Sequence, residues 1–441
     1  MTASDRLTVR GPEDILGFIP HSLGYWPASS LVAMTLHGTR LGATLRLDLP
    51  ARDSTANPHV FAGIVRRYLE SDANADGSLL AVFTTDADLA PPSAYEHLVS
   101  AVSSALAQGG MPVRDAWFVG DEYWRDATCA DPVCCPRPGR PVQQIRDSML
   151  STEMVYRGSS VGPAPTAAFG PATAVPALHL AAVLDAQAGW EEALAGRTGC
   201  RAQFNAVLDF WEHVLARHAS EPWVPDVDRD AFLRATLLCP TWRDALLVMA
   251  AAGRNVAEAG ADHFGLLRAT GVGGGEAPVV PLQPPPPANP PGGRRRRPGM
   301  PVDPEGTAGE RRRQVRLVAG TGGASGARIA GYGEVLMGAA PEVPDWEGLD
   351  ALDRVLGRLA VTGGRAAAAA LTLQGWVSWC RGRGSYAAAY LGRALELEPG
   401  YRLAELLLDL VGAGTLCGWA VRKNAAWQKF RAEGCGGEAG G

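Results

Sequence analysis

Apolar positions in the first 120 residues switch between the period of a strand and that of a helix. Leu79–Thr84 (LLAVFT) is a continuous apolar run of strand length, and Val113–Val119 is another that stops at Gly120. Ser30–Leu36 and Leu41–Leu49 flank His37-Gly38-Thr39-Arg40, which predicts a hairpin. Between these runs lie helical patterns. Pro12–Phe18 opens with Pro and acids, Pro58–Leu69 places Val60, Ile64 and Leu69 near one face, and Ser93–Leu106 begins with a capping Ser. Leu7–Val9 adds a short strand candidate. Strands interleaved with helices, including one hairpin, predict a layered α/β domain with a mixed sheet over residues 1–150.

Helical spacing dominates from about residue 174. Pro176–Ala188, Arg201–Arg217, Asp230–Leu238 and Trp242–Ala251 predict a helical subdomain over 151–270. Trp346–Leu359, Ala366–Cys380, Ser385–Leu397 and Tyr401–Val411 predict a second over 331–420, followed by a flexible tail at 421–441. Within it, Gly375, Gly382, Ala387, Ala394 and Pro399 fall where a tetratricopeptide unit places small residues, a turn and a closing Pro. A single unit predicts one helical hairpin, because a peptide-binding groove needs several stacked repeats. The intervening residues 271–330 hold 11 prolines and 13 glycines, a composition that cannot bury enough apolar surface to fold, so a disordered linker is expected there.

Composition removes whole classes of chemistry. Among 41 basic residues only Lys423 and Lys429 are lysine. A phosphate-binding P-loop, a pyridoxal Schiff base and a kinase strand lysine therefore have no residue to use. The 441 residues are 46% hydrophobic and 20% charged with a net charge of −5, an ordinary globular balance without general attraction for nucleic acid or anionic lipid. The residues 294–297 and 311–313 are all arginine, and nine arginines against four acids give residues 271–330 a charge of +5. That segment lacks aromatic residues for base stacking, which argues against nucleic acid and for a solvated spacer. No apolar run approaches the roughly 20 residues of a membrane span, and the N-terminal residues lack a signal-peptide core. A cytoplasmic protein with reduced thiols and no membrane partner is expected.

Candidate chemistry is concentrated in one stretch. Cys129, Cys134 and Cys135 put three soft ligands within seven residues of a Pro- and Gly-rich loop. No cofactor is predicted outright, and zinc is the ion this loop suits, although the spacing departs from the C-x2-4-C pattern of zinc sites and a fourth ligand is missing. Asp126, Asp131, Cys200 or Cys239 would have to complete it, and adjacent Cys134 and Cys135 are expected to point apart. A packed structural loop is the simpler reading. Asp121, Glu122 and Trp124 follow a predicted strand, where α/β sheets place ligand-binding loops; a polar loop packing Trp124 on the domain edge explains them equally. His21, beside the Gly24-Tyr25-Trp26-Pro27 turn, is the histidine best placed for exposure, against the plain alternative of a hydrogen-bonded turn residue. Gly158-Ser159-Ser160-Val161-Gly162 matches a nucleophile elbow by letter but is followed by Pro163 and Pro165 instead of a helix, and is rejected. Trp242-Arg243-Asp244 reads as the start of a helix, and Trp376 with Trp379 as core filling.

Four blocks appear in order: GPEDILGFIPHSLGYWPASSLV at Gly11–Val32, CADPVCCPRPGRPV at Cys129–Val142, TWRDALL at Thr241–Leu247, and a long segment from Gly375 to Leu407. In these the chain resembles the actinobacterial family called domain of unknown function 4192. The resemblance implies no reaction, cofactor or catalytic residue, and residues 271–330 depart from the family's more compact middle. The reading that follows is a non-enzymatic protein offering surfaces to a protein or small-molecule partner. Two alternatives stand beside it: an enzyme gathering Asp121, Glu122 and the cysteine loop at the strand ends, and a nucleic-acid-associated protein using the arginine segment.

Overall fold

The computed structural model of the chain describes residues 8–50, 57–89, 93–129, 131, 133–162, 164–165, 177–218, 223–267, 277–281, 331–422 and 424–427. Helix α1 (Pro12–Leu23) opens with Pro12, whose missing N–H is harmless in a first turn, and with Glu13 and Asp14 at the positive end of the helix dipole. The hairpin follows as β1 (Ser30–His37) and β2 (Arg40–Asp48), then α2 (Pro58–Leu69), β3 (Gly77–Phe83), α3 (Glu96–Gln108), β4 (Val113–Val119), β5 (Tyr123–Asp126) and β6 (Arg140–Pro141). These strands form one sheet in the order β2-β1-β3-β4-β5-β6. β3 and β4 run parallel, and every other strand pair is antiparallel, so the sheet is mixed.

Both faces of the sheet are covered, which is why β1 and β3 read as continuous apolar runs. Leu31, Ala33, Leu80 and Val82 pack under α2 and α3. Their neighbours Val32, Met34, Leu79 and Ala81 turn the other way, toward Leu16 and Ile19 of α1 and Ile145 of α4 (Gln143–Arg146). Helix α5 (Met149–Tyr156) packs on α1.

The remaining elements are helical: α6 (Ala177–Leu194), α7 (Arg201–His218), α8 (Val227–Leu237), α9 (Pro240–Ala252), α10 (Arg254–His263), α11 (Tyr332–Leu336), α12 (Trp346–Leu359), α13 (Gly364–Cys380), α14 (Gly384–Leu397), α15 (Arg402–Gly412) and α16 (Gly418–Val421). One core draws on both sides of residues 282–330, joining Phe204, Trp211, Phe232 and Leu246 to Leu352, Leu356, Trp376 and Trp419. Arg234 of α8 is fully buried within it. Its guanidinium donates to Gln187 Oε1 and to the carbonyls of Leu359 and Gly363, fastening α8 to the α12–α13 connection. Helix α13 is buried from Ala366 to Cys380, as expected of a helix without a polar face. It packs on α14 at Gly375, where an added Cβ would lie 2.8 Å from Leu391 Cγ. One pair of packed helices does not establish a tetratricopeptide unit, and that reading stays an expectation. Among the described residues no helix is long and apolar enough to cross a membrane.

Several local expectations differ from the structure. Residues 8–10 form no strand. Helix α1 continues past Phe18 through Pro20, which lies inside the helix and forgoes the backbone hydrogen bond to the Leu16 carbonyl. Ser93 lies upstream of α3, which starts at Glu96, and receives the Tyr95 amide at 3.3 Å instead of capping the helix directly. The expected linker, apart from 277–281, and most of the expected tail lie outside the described residues, as do the arginine runs at 294–297 and 311–313.

Candidate metal centre

The cysteine loop connects β5 to β6 at the sheet edge. Asp126, the last residue of β5, shapes its first turn: Oδ1 accepts the Thr128 amide at 2.7 Å, the Thr128 hydroxyl at 2.8 Å and the Cys129 amide at 2.8 Å. A second turn follows, in which Asp131 Oδ1 accepts the Val133 amide and the Asp131 carbonyl accepts the Cys135 amide, both at 2.8 Å. Arg125 is buried beneath the loop and donates to the carbonyls of Leu89 at 3.2 Å and Cys129 at 3.0 Å. The chain returns through Gly139, whose φ of +144° suits glycine and whose added Cβ would lie 2.7 Å from the Trp124 carbonyl. Only glycine lets the loop close this tightly onto β5.

These turns bring the three thiols together. The Sγ atoms of Cys129, Cys134 and Cys135 all lie within 4.8 Å of one another. The expectation that adjacent Cys134 and Cys135 would point apart does not hold: with the Cys135 amide folded back onto the Asp131 carbonyl, both thiols lie in the cluster. Tetrahedral thiolates on zinc at about 2.3 Å sit about 3.8 Å apart, so small side-chain rotations would suffice for one ion. Burial and the hydrogen bond with Cys129, with Cys134 close by, push the Cys135 thiol up to about 11. In the metal-free protein Cys135 is therefore protonated at neutral pH and a poor nucleophile.

The thiols form one wall of a pocket of about 250 Å3. Pro12, Trp117 and Trp124 supply apolar surface, and Arg125, Asp126 and Arg140 supply charge. The Arg140 guanidinium lies 5.3 Å from the Trp124 ring centroid and pairs with Glu13 at 3.2 Å. The Trp124 indole N–H is buried and has no hydrogen-bond partner among the described residues.

Of the other residues singled out from sequence, Trp124 and Asp126 join this site. Asp121 and Glu122 occupy the β4–β5 turn, at the opposite end of β5 from the cysteine loop, and both are exposed. The amides of Glu122 and Tyr123 in that turn donate to the Asp86 carboxylate at 3.1–3.2 Å. A site combining Asp121 and Glu122 with the cysteines is thus not assembled. His21 is not exposed in a turn: it lies within α1, 3% exposed, with Nδ1 3.0 Å from Ser159 Oγ and Nε2 3.1 Å from Ser151 Oγ. Residues 158–162 follow a helix, α5, and not a strand, in line with rejecting the nucleophile elbow. Cys200 precedes α7 and Cys239 caps α9, both outside the thiol cluster. Sequence reasoning missed Pro12, Trp117 and Arg140, which strand pairing and the α1 entry bring to the loop.

A covered mixed sheet joined to a helical core, with a three-thiol loop on its edge, is the class of protein defined by this geometry. The family model described as domain of unknown function (DUF4192) matches residues 12–267 and 347–415, well over half of the chain, and the chain belongs to that family. Neither the curated proteins nor the solved structures contain a match.

Proposed function

We propose that this is a non-enzymatic cytoplasmic binding protein whose α/β unit holds one zinc ion on Cys129, Cys134 and Cys135. The observation that supports this reading is the convergence of three Sγ atoms within 4.8 Å of one another. Thiolates are soft ligands, and a set of three selects zinc over the hard cations that prefer oxygen. Bound there, the ion would clip the β5–β6 edge, which otherwise relies on a strand of two residues, Arg140–Pro141. Because the ion binds thiolates, uptake would release protons, and the raised Cys135 thiol makes affinity fall as pH falls.

Elemental analysis of tag-free protein, followed by zinc titration of the metal-free chain, tests this. One equivalent of zinc per chain is expected, lost when all three cysteines are changed to Ser, with a lower unfolding temperature after chelation. Protein that carries no stoichiometric metal, takes up none, and unfolds identically with and without chelator would overturn the reading.

A further inference from the structure

Three thiolates leave a tetrahedral ion one ligand short, and the loop does not supply the fourth from within. Asp126 Oδ1 already serves three donors, Thr128 N, Thr128 Oγ1 and Cys129 N, and neither Asp126 oxygen joins the thiol cluster. Asp131 is engaged with the Val133 amide at 2.8 Å. The pocket of about 250 Å3 beside the thiols is open to a ligand from solution, and its volume falls below the roughly 300–1,000 Å3 of sites for drug-sized molecules. The ligand is therefore small.

The polar groups in the pocket wall specify its charge. Arg125 donates to the carbonyls of Leu89, Cys129 and Asp126, so these bonds leave its positive charge without a carboxylate partner. Arg140 borders the pocket over the Trp124 ring, 5.3 Å from its centroid. Two guanidiniums, Arg125 and Arg140, beside the single carboxylate of Asp126, together with the indoles of Trp117 and Trp124 and the ring of Pro12, suit an anionic group carried on an apolar body.

We propose that this pocket binds a small carboxylate, one oxygen taking the fourth position on the ion held by Cys129, Cys134 and Cys135 and the apolar body lying against Trp117 and Trp124. The proposal rests on the metal reading above. The carboxylate displaces water from the ion, and no covalent bond of the ligand is made or broken. Three thiolates, a divalent cation and a carboxylate sum to −2, offset in part by Arg125 and by Arg140, which also pairs with Glu13, while Asp126 adds a further negative charge to the lining.

Full-length protein loaded with cobalt(II) makes both readings visible, because the d–d bands report the ligand set. Millimolar benzoate, the probe, is expected to shift these bands saturably in the cobalt form and to leave metal-free protein without saturable binding. Arg140→Gln should weaken benzoate by about tenfold, the size of one charge-assisted hydrogen bond. Cobalt bands indifferent to benzoate but altered by Asp126→Asn would make Asp126 the fourth ligand and overturn this inference alone. Equal benzoate binding with and without cobalt would also overturn it. Failure of the chain to bind cobalt at all would remove the metal reading, and this proposal with it.

Discussion

Tryptophan brings a large apolar ring and one N–H that must find an acceptor when buried. The helical core meets that requirement four times with main-chain carbonyls: Trp346 donates to Ala425 at 2.9 Å, Trp376 to Leu336 at 2.9 Å, Trp379 to Thr415 at 2.7 Å and Trp419 to Pro341 at 2.8 Å. Trp376 is 2% exposed, so Trp376→Ala should cost about 3–5 kcal/mol, measured by denaturant unfolding of the full chain. Unchanged stability would place that ring outside the core. The spacing of Trp376 and Trp379 made their role legible, since residues three apart share a helix face. His21 was not legible in the same way. Pro20 reads as a helix stop, yet α1 runs through it to Leu23, and His21 is drawn inside with the helix.

Single elements here are held by side chains reaching between them. Asp72, between α2 and β3, receives Thr35 Oγ1, His37 Nε2 at 2.8 Å and the Ala43 amide at 3.3 Å, tying down the β1–β2 hairpin. Although partial burial acts against it, those hydrogen bonds hold the Asp72 carboxyl below its ordinary value. A depressed folded-state pKa contributes stability that is present above the unfolded value, about 3.9, and is lost as pH falls through the folded one. Asp72→Asn should therefore lower the unfolding temperature at pH 7 and flatten its fall below about pH 4; parallel pH profiles for the two proteins would show that the carboxylate does not matter. Long elements such as β3, β4 and α2 were legible because each carries enough residues to show a period. β5 and β6, with four and two residues, show none, although they set the position of the cysteine loop. Helix α10 was missed because its sequence, RNVAEAGADH, buries only alanines and a glycine. The convergence of the thiols was hidden for another reason: it depends on two Asp-capped turns, and spacing rules for metal ligands say nothing about those.

At the scale of the whole molecule, the α/β unit meets the helical core where Tyr25 and Tyr386 pack edge to face with ring centroids 5.5 Å apart. The core itself joins helices from both sides of residues 282–330. Limited proteolysis is expected to cut first within 271–330, on its Pro and Gly content. The two pieces should then elute together in native buffer and part only in denaturant, because Arg234 and the shared apolar surface hold them. Pieces that separate on native size exclusion would show that the core does not bind across the cut. The burial of Trp419, whose ring lies 6.3 Å from that of Trp346 and 6.2 Å from that of Trp376, also sets an order in time. On the ribosome the last strand of the sheet emerges long before Trp419, and domains fold as they appear. The sheet closes early, while Trp346 and Trp376 wait for their cover, so the nascent chain carries an open aromatic seam until residues beyond 419 have left the exit tunnel.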